Sequence, residues 1–459
     1  MSNSAQIGFS GSYSDIAILK ELLSPWNVSF TTPEEADIVI IYKSGEASTK
    51  KSIILPYNGP EFNNWVKKQS LSLKSSSHKQ IKVDISNQTS LTISPEQLFD
   101  YEGASNSSLR EGSSAEFFLN SDQELLKIDL IKEFANIVDP ALNGKTSILY
   151  QILTGLPLRY DAAPKKVRDL VMGDKKEGRV INYCDKLPLD ALRFVLVRTI
   201  ERLSGKVLIR KKWKGANSCV TLTHDIDTEK GLGRASLVRK LEEKYDIKSA
   251  WYIPTKHYPL NCEIVKELAN YGEVGVHGAK HSGNLVRLSS QKLYSQFSDA
   301  KASLEKISGS PIQGFRSPLL QHNSTILAQL KKAGYVYDTS IPTWEPKHPQ
   351  TMSPFGIGTV FPLQINGLIE FPVSIIQDHQ LLYVSDLTPK ETLHQWFLFM
   401  NVVTEIGGCN VFLSHPEYKL FDPENICLYE DFLSVLVANK NIEITIPKEI
   451  CESEKTTRF

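Results

Sequence analysis

The chain has little that would tie it to a membrane, an oxidising compartment or a polyanion. No window approaches the roughly 18 apolar residues that a membrane span needs, so no integral membrane segment is expected. The stretch from Met1 to Phe9 lacks the basic and apolar regions of a secretory signal, and a cytoplasmic location is the expectation. Lys and Arg total 52 against 52 Asp and Glu, so there is no excess of one sign to recruit nucleic acid. Cysteine is sparse: Cys184, Cys219, Cys262, Cys409, Cys427 and Cys451 are scattered without a Cys-x-x-Cys pair, which predicts buried reduced thiols rather than disulfides or a zinc knuckle. The Gly8-Phe-Ser-Gly-Ser-Tyr-Ser14 loop lacks both a P-loop lysine and G-x-G-x-x-G spacing, so a strand-to-helix turn is a better reading than a phosphate cradle.

What is present divides the 459 residues in two. Residues 1–210 read as an accessory domain, a mixed α/β unit followed by helices. Strands are predicted at Gln6–Phe9, Ala36–Tyr42 and Ser52–Pro56, and a helix over Asp15–Leu23. Period-two patterns in Gln80–Ser86 and Ser90–Ile93 predict a hairpin or meander. Residues 115–205 read as helical, with apolar spacing over Gln123–Asn136 and Leu187–Leu203 and breaks at Gly155-Leu-Pro157 and Ala163-Pro164. Arg210-Lys-Lys-Trp-Lys214 marks the junction as a solvated basic loop. Residues 211–459 then alternate short apolar strands with amphipathic helices, the pattern of a mainly parallel sheet. Strands are predicted at Cys219–Thr223, Ser249–Pro254, Glu273–Val276, Gln313–Arg316, Tyr335–Asp338, Ile369–Ile375, Asn410–Leu413 and Ile442–Ile446. Helices are predicted near 232–244, 262–271, 290–307, 324–333, 391–406 and 426–439.

The polar residues that end these strands carry the chemistry. In an extended strand alternate side chains share a face, so Asp225 and Asp227 project together from the end of the run that begins at Ser218. A lone Asp-x-Asp is more often a turn, but His277-Gly-Ala-Lys-His281 closes another strand. A helical turn there would put both imidazoles on one face. With Asp227 they form an N/N/O set that suits Zn²⁺ and admits Co²⁺, Ni²⁺ or Fe²⁺. Three ligands leave a position for water, which such a metal acidifies into a usable nucleophile. Arg316-Ser-Pro318 and Leu413-Ser-His415 end two further strands. His224 should face the other way, as a structural residue. His257, His322, His348, His379 and His394 show no partner spacing, and packing or surface roles are expected, with His379 the one placed to line a cleft.

The ordered set Asp-x-Asp, His-x-x-x-His, Arg-x-Pro and Leu-x-His resembles the polysaccharide deacetylase family, with its NodB-homology or carbohydrate-esterase family 4 fold, over roughly residues 215–450. Thr223-His-Asp-Ile-Asp227 is similar to the family's Thr-Phe-Asp-Asp-Gly motif, with one residue between the acids, and Lys248–Pro254 is similar to the strand that follows it. The resemblance implies a distorted (β/α)7-type barrel. It implies Asp227, His277 and His281 as metal ligands, Asp225 as general base, Arg316 as its partner and His415 as general acid. It places a backbone N–H near Leu319 against the developing oxyanion, and gives Asp338 and Trp344 supporting roles at the substrate. Leu319 stands where the family commonly has Tyr, and Gly278 where it has Ser or Thr, which removes a side chain that would steady the histidine loop. The implied reaction is metal-dependent hydrolysis of an acetyl group, N-acetyl before O-acetyl, on a saccharide or glycan intermediate. A cyclic-amide hydrolase and a catalytically silent glycan-binding protein are the alternatives. The N-terminal domain would position substrate or pair subunits into a homo-oligomer, and the Pro- and Gly-rich segment from Pro342 to Gly367 is a candidate lid.

Overall fold

Eight consecutive buried residues, Ser218–Asp225, form strand β1. A run covered on both faces is what a central parallel strand requires. In this computed structural model, residues 4–43, 50–69, 71–76, 80–86, 89–103, 116–120, 122–155 and 182–457 are described. The breaks read at Pro157, Ala163 and Pro164 lie outside the described residues. The chain divides into two units, Met1–Val138 with Cys184–Lys211, and Asp139–Tyr183 with Lys212–Phe459.

In the second unit β1 pairs in parallel with β2 (Ala250–Ile253), which is followed across the sheet by β3 (Glu273–Val276), β4 (Gly314–Phe315), β5 (Tyr337–Asp338) and β6 (Leu368–Glu370). On its other side β1 pairs in parallel with β7 (Cys409–Ser414). The sheet curls, and the chain beyond β6 meets β7 through one backbone bond, Ile375 N–H to the Val411 carbonyl at 3.1 Å. The Ser374 side chain completes this seam. Its Oγ donates to the Cys409 carbonyl at 2.6 Å and accepts from Val411 N–H at 2.7 Å. The expected strand Ile369–Ile375 is regular only at its start; beyond Glu370 it continues through separate backbone bonds, Phe371 N–H to the Asp338 carbonyl at 2.9 Å and Val373 N–H to the Ile341 carbonyl at 3.0 Å. This is the distorted α/β half-barrel that the family resemblance implies. Ile442–Ile444 adds in parallel to the start of β1, and Leu363–Ile365 pairs antiparallel with β6.

The helices begin where a side chain can satisfy the free N–H groups of the first turn. Thr228 caps Glu229–Glu243, Asn261 caps Cys262–Tyr271, Ser289 caps Ser290–Ser308 and Asn323 caps Ser324–Lys332. Thr388 and Glu391 form a reciprocal capping box on Pro389–Ile406, which ends on left-handed Gly407. Such caps are local, so these helices lie close to the expected bounds.

Inside the barrel, Tyr252 and Tyr337 meet hydroxyl to hydroxyl at 3.0 Å, and Tyr337 Oη donates to Glu273 Oε1 at 2.8 Å. Two glycines make room for the rings. A Cβ at Gly275 would lie 2.6 Å from the Tyr252 ring, and one at Gly314 would lie 2.1 Å from the Tyr337 hydroxyl. Burial pushes the Glu273 carboxyl up to about 7, a cost offset by its bonds to Tyr337 and the Lys448 N–H.

The first unit holds a sheet in the order Ser29–Thr31, Gln6–Ser10, Ile38–Ile41, Ser52–Ile54, Gln123–Leu126 and Glu116–Asn120, parallel except at its last pair. The last two strands correct the helical reading of this region. Gln123–Leu126 pairs with Ser52–Ile54, and a long-range ladder overrides a short helical spacing. The helix proper is Leu130–Asn143. Ile81–Asp84 and Ser90–Ile93 form the expected antiparallel pair. Helix Pro188–Ser204 buries Arg193, whose Nη1 donates to the carbonyls of Glu21 and Leu22 at 2.6 and 3.1 Å. In the glycine-containing loop, Ser12 Oγ caps helix Tyr13–Leu23 by accepting from Asp15 N–H, so the turn has an ordinary structural use. Cys219, Cys409 and Cys451 are buried free thiols, Cys184 is partly buried, and Cys262 and Cys427 are exposed free thiols.

Because Tyr337 occupies the space in front of Gly314, Gly314→Ala should destabilise the protein by about 1–3 kcal/mol, the usual cost of overpacking a core. Urea unfolding would check this, and an unchanged midpoint would contradict the packing described here.

Candidate metal centre

The ends of β1, β3, β4 and β7 bring the strand-terminal residues together. β1 ends at Asp225, and the Ile226 N–H bonds the Tyr252 carbonyl, so the chain stays extended long enough for both aspartates to reach the same side. His224 points to the opposite face as expected. Its Nε2 lies 2.8 Å from Glu242 Oε1, its Nδ1 2.9 Å from Ser414 Oγ, and its ring stacks on Trp251.

His277 and His281 are not on a helix, which corrects the expectation of a helical turn. The chain bends through Gly278 at φ +71°, where a Cβ would lie 3.0 Å from Pro318 Cγ. Glycine is therefore required twice, for its left-handed conformation and for the close approach of Pro318. Its appearance in place of Ser or Thr tightens the loop rather than loosening it.

His277 Nδ1–H donates to the Arg316 carbonyl at 2.9 Å, which turns Nε2 towards Asp227 Oδ1, 3.2 Å away. His281 Nε2 lies 3.3 Å from the same oxygen. All three donor atoms fall within 4.8 Å of one another. Ligands held about 2.0–2.1 Å from one cation in tetrahedral geometry stand about 3.3–3.4 Å apart, so these separations fit a shared divalent metal. Asp227 Oδ1 is also buried without a hydrogen bond, an orphan acceptor that a cation would satisfy. Burial opposes ionisation of Asp227, but His281, His277 and His415 together hold it well below the usual carboxylate range. Burial disfavours the charged form of both His277 and His281. Asp225 and Asp227 outweigh this at His277 and raise it, whereas His281 is lowered.

Asp225 stands beside this set. Its Oδ1 lies 3.2 Å from Arg316 Nη1, and its Oδ2 3.7 Å from His277 Nε2. Arg316 is fully buried, and each of its three nitrogens donates a hydrogen bond. Nη1 also donates to Thr223 Oγ1 at 2.6 Å, Nε to the Thr339 carbonyl at 2.8 Å and Nη2 to Thr339 Oγ1 at 2.9 Å, while the guanidinium lies 4.6 Å from the centre of the Tyr252 ring.

His415 approaches from β7, its Nε2 3.7 Å from Asp227 Oδ2. Its Nδ1–H donates to Asp378 Oδ1 at 2.7 Å, and its backbone N–H donates to Asp378 Oδ2 at 2.8 Å. Burial disfavours the imidazolium, yet Asp378 and Asp227 overcome this and raise the group to about 10. Sequence reasoning missed Asp378. It lies beyond the regular part of β6, and its neighbour His379 drew attention instead. The His379 ring stands 5.7 Å from Tyr383 and 5.8 Å from Tyr418, and Tyr418 in turn stacks on His415. His257 was also passed over, and its ring lies 5.8 Å from that of His281.

The three residues expected at the substrate, Asp338, Leu319 and Trp344, differ in their surroundings. Asp338 is fully buried, with Oδ1 accepting from Ser340 Oγ at 2.7 Å and Oδ2 from Ser340 N–H at 3.2 Å, and so supports the Arg316 strand from behind. Burial pushes Asp338 up to about 6 and its neighbour Glu370 well above the carboxylate range. Leu319 is partly buried, at φ +56° beside Leu320 at φ +51°. Trp344 is partly buried and leads into a hairpin, Glu345–His348 with Ser353–Phe355, so the candidate lid segment contains regular structure.

Residues 214–337 match the family model described as polysaccharide deacetylase. Asp225, Asp227, His277, His281 and Arg316 lie inside that stretch, and Asp378 and His415 beyond it. No curated protein matches the chain. Among solved structures, a protein from Mycobacterium smegmatis assigned as a polysaccharide deacetylase is 18% identical, with a TM-score of 0.46, covering 54% of this chain and 94% of that one. A family 4 acetyl xylan esterase from Clostridium thermocellum, in complex with cobalt, is 16% identical with a TM-score of 0.33, over 50% and 89% of the two chains. A CE4-family pseudoenzyme from Bacillus anthracis is 14% identical with a TM-score of 0.36, over 51% and 65%.

Because Asp378 is the largest influence favouring the His415 imidazolium, Asp378→Asn should move the His415 titration from about 10 towards its ordinary value near 6.5. A raised histidine stabilises the fold fully below the unfolded value and loses that contribution as pH rises through the folded one. The variant should therefore lose stability below about pH 6.5, with the difference shrinking towards pH 10. Histidine NMR titration and unfolding at two pH values measure both effects.

Proposed function

We propose that the protein is a metal-dependent deacetylase that hydrolyses an acetyl group, N-acetyl before O-acetyl, on a saccharide or glycan intermediate. The observation that carries this reading is the convergence of an arginine-held carboxylate, a His/His/Asp cradle and an aspartate-held imidazolium around one point. Asp227, His277 and His281 would hold the metal. A divalent ion there, Zn²⁺ first and Co²⁺, Ni²⁺ or Fe²⁺ next by its donor set, would supply Lewis-acid chemistry that acidifies water and polarises an acyl carbonyl.

The chain's own groups divide the proton traffic. Asp225, held by its ion pair with Arg316, would accept a proton from the attacking water. His415, with Nδ1–H engaged by Asp378, offers its Nε2 proton to the departing group. An amide needs that donation more than an ester does, because an amide anion is a poor leaving group, and a strongly held imidazolium favours N-acetyl substrates for this reason. The Leu319 backbone N–H would stabilise the developing oxyanion, as preorganised donors do. Trp344 would flank the substrate and Asp338 would steady Arg316. The Glu345–Phe355 hairpin lies on the chain between β5 and β6, and would shape specificity as connecting segments at strand ends do. Among the described residues no helix is long and apolar enough to cross a membrane.

Protein purified without chelator should carry stoichiometric divalent metal and release acetate from acetylated amino sugars or their oligomers. His277→Ala should lose the metal, and Asp225→Asn should keep it while kcat falls by at least about 100-fold. Failure to bind metal after Zn²⁺ or Co²⁺ addition would overturn the reading, and would favour a silent glycan-binding protein. Turnover of cyclic amides without acetate release would replace the substrate class.

A further inference from the structure

The turn after Arg316 is held in a costly conformation. Leu319 and Leu320 both have positive φ, at 56° and 51°, although neither is glycine. A non-glycine residue in this region costs on the order of 1–3 kcal/mol, and such strain persists only where surrounding contacts impose it. Here the contacts converge on the Leu320 carbonyl. His322 Nδ1 lies 2.7 Å from that oxygen and His348 Nε2 lies 3.2 Å from it. A carbonyl only accepts, so both nitrogens carry hydrogens. His348 Nδ1 is then the acceptor for the Gln350 N–H at 3.3 Å. Gln350 also locks the pair from its other side, accepting from the His322 N–H and donating to the His322 carbonyl, each at 3.2 Å. Both imidazoles are buried, 5.4 Å apart, with Phe355 against each. Burial pushes them down, His322 to about 4 and His348 to about 3, so each is neutral and has one N–H to place.

The same turn touches the metal cradle. The Pro318 ring packs against Gly278, and Gln321 Nε2 donates to the carbonyls of Ser282 and Pro318 at 2.6 and 2.9 Å while its Oε1 accepts from the Leu285 N–H. The turn's geometry is thus transmitted to the residues that follow His281, and the Leu319 N–H belongs to its first left-handed residue.

We propose that His322 and His348 are positioning residues whose two N–H donors clamp the Leu320 carbonyl and so hold the Leu319 N–H in its productive orientation. The catalytic part of this inference rests on the deacetylase reading, whereas the clamp itself does not.

Four variants separate the terms. His322→Leu and His348→Leu remove a donor. His322→Asn retains one near the Nδ1 position and His348→Gln one near Nε2. Hydrogen–deuterium exchange over residues 317–322 should accelerate in the leucine variants by tenfold or more, as expected when local opening becomes easier, and should be restored by Asn and Gln. In metal-loaded enzyme, the leucine variants should lose about ten- to hundredfold in kcat with little change in KM or metal content, and the conservative variants should recover most of it. Unchanged exchange in both leucine variants would overturn the clamp. Accelerated exchange with unchanged kcat would overturn the positioning role. Exchange behaving as expected in a protein that releases no acetate would sustain the clamp and reject the deacetylase reading alone.

Discussion

One fully buried guanidinium organises the candidate site. Removing a charge from water is expensive unless it is paired and hydrogen-bonded, and Arg316 meets that condition by bonding to three segments at once. It holds Asp225 and Thr223 on β1 and Thr339 just beyond β5, and lies over Tyr252 on β2, while its own carbonyl fixes the His277 tautomer. Asp225, His277 and the barrel wall therefore share one support. Removing that side chain would strand an acid and leave Thr339 without its partner, so stability and chemistry are not separable at this position.

Around this support the protein places a set of acids whose charges are suppressed by burial. Glu345 and Glu417 are each pushed up to about 8, and Glu370 is raised beside Asp338. Asp227 goes the other way because three imidazoles surround it. The contrast divides the carboxyls by environment. Asp227 sits among imidazoles and is lowered, whereas Glu345, Glu370 and Glu417 are raised by burial and each accepts a hydrogen bond, from Gln377, the Ile341 N–H and Thr228. Glu417 accepts from Thr228 Oγ1 at 3.1 Å at the cap of helix Glu229–Glu243. A Cβ at Gly231 would collide with its other oxygen at 2.4 Å. That helix follows Asp227 directly, so Glu417 braces Thr228, the residue next to Asp227.

Much of this was legible in the primary structure because it is local. Caps, strand runs and the motifs Asp-x-Asp, His-x-x-x-His, Arg-x-Pro and Leu-x-His are each contained in a few residues, and β-α alternation carries each set to a strand end. The misreadings share a cause. Gln123–Leu126 became a strand because Ser52–Ile54 was there to pair with it. The histidine pair needed a glycine bend, since Pro318 comes within contact of Gly278. Asp378 was invisible because it reaches His415 across 37 residues of chain.

The sequence by itself determined the alternating architecture, the order of the strand-ending motifs and the identity of the groups able to bind a cation or move a proton. Side-chain type and short spacing suffice for those. Only the tertiary structure decided which acid pairs with which basic side chain, that Asp338 is fully buried against Ser340, and that two histidines without any partner spacing converge on one strained carbonyl. Those outcomes depend on desolvation and on distances between segments remote in the chain, and neither is encoded within a window of residues.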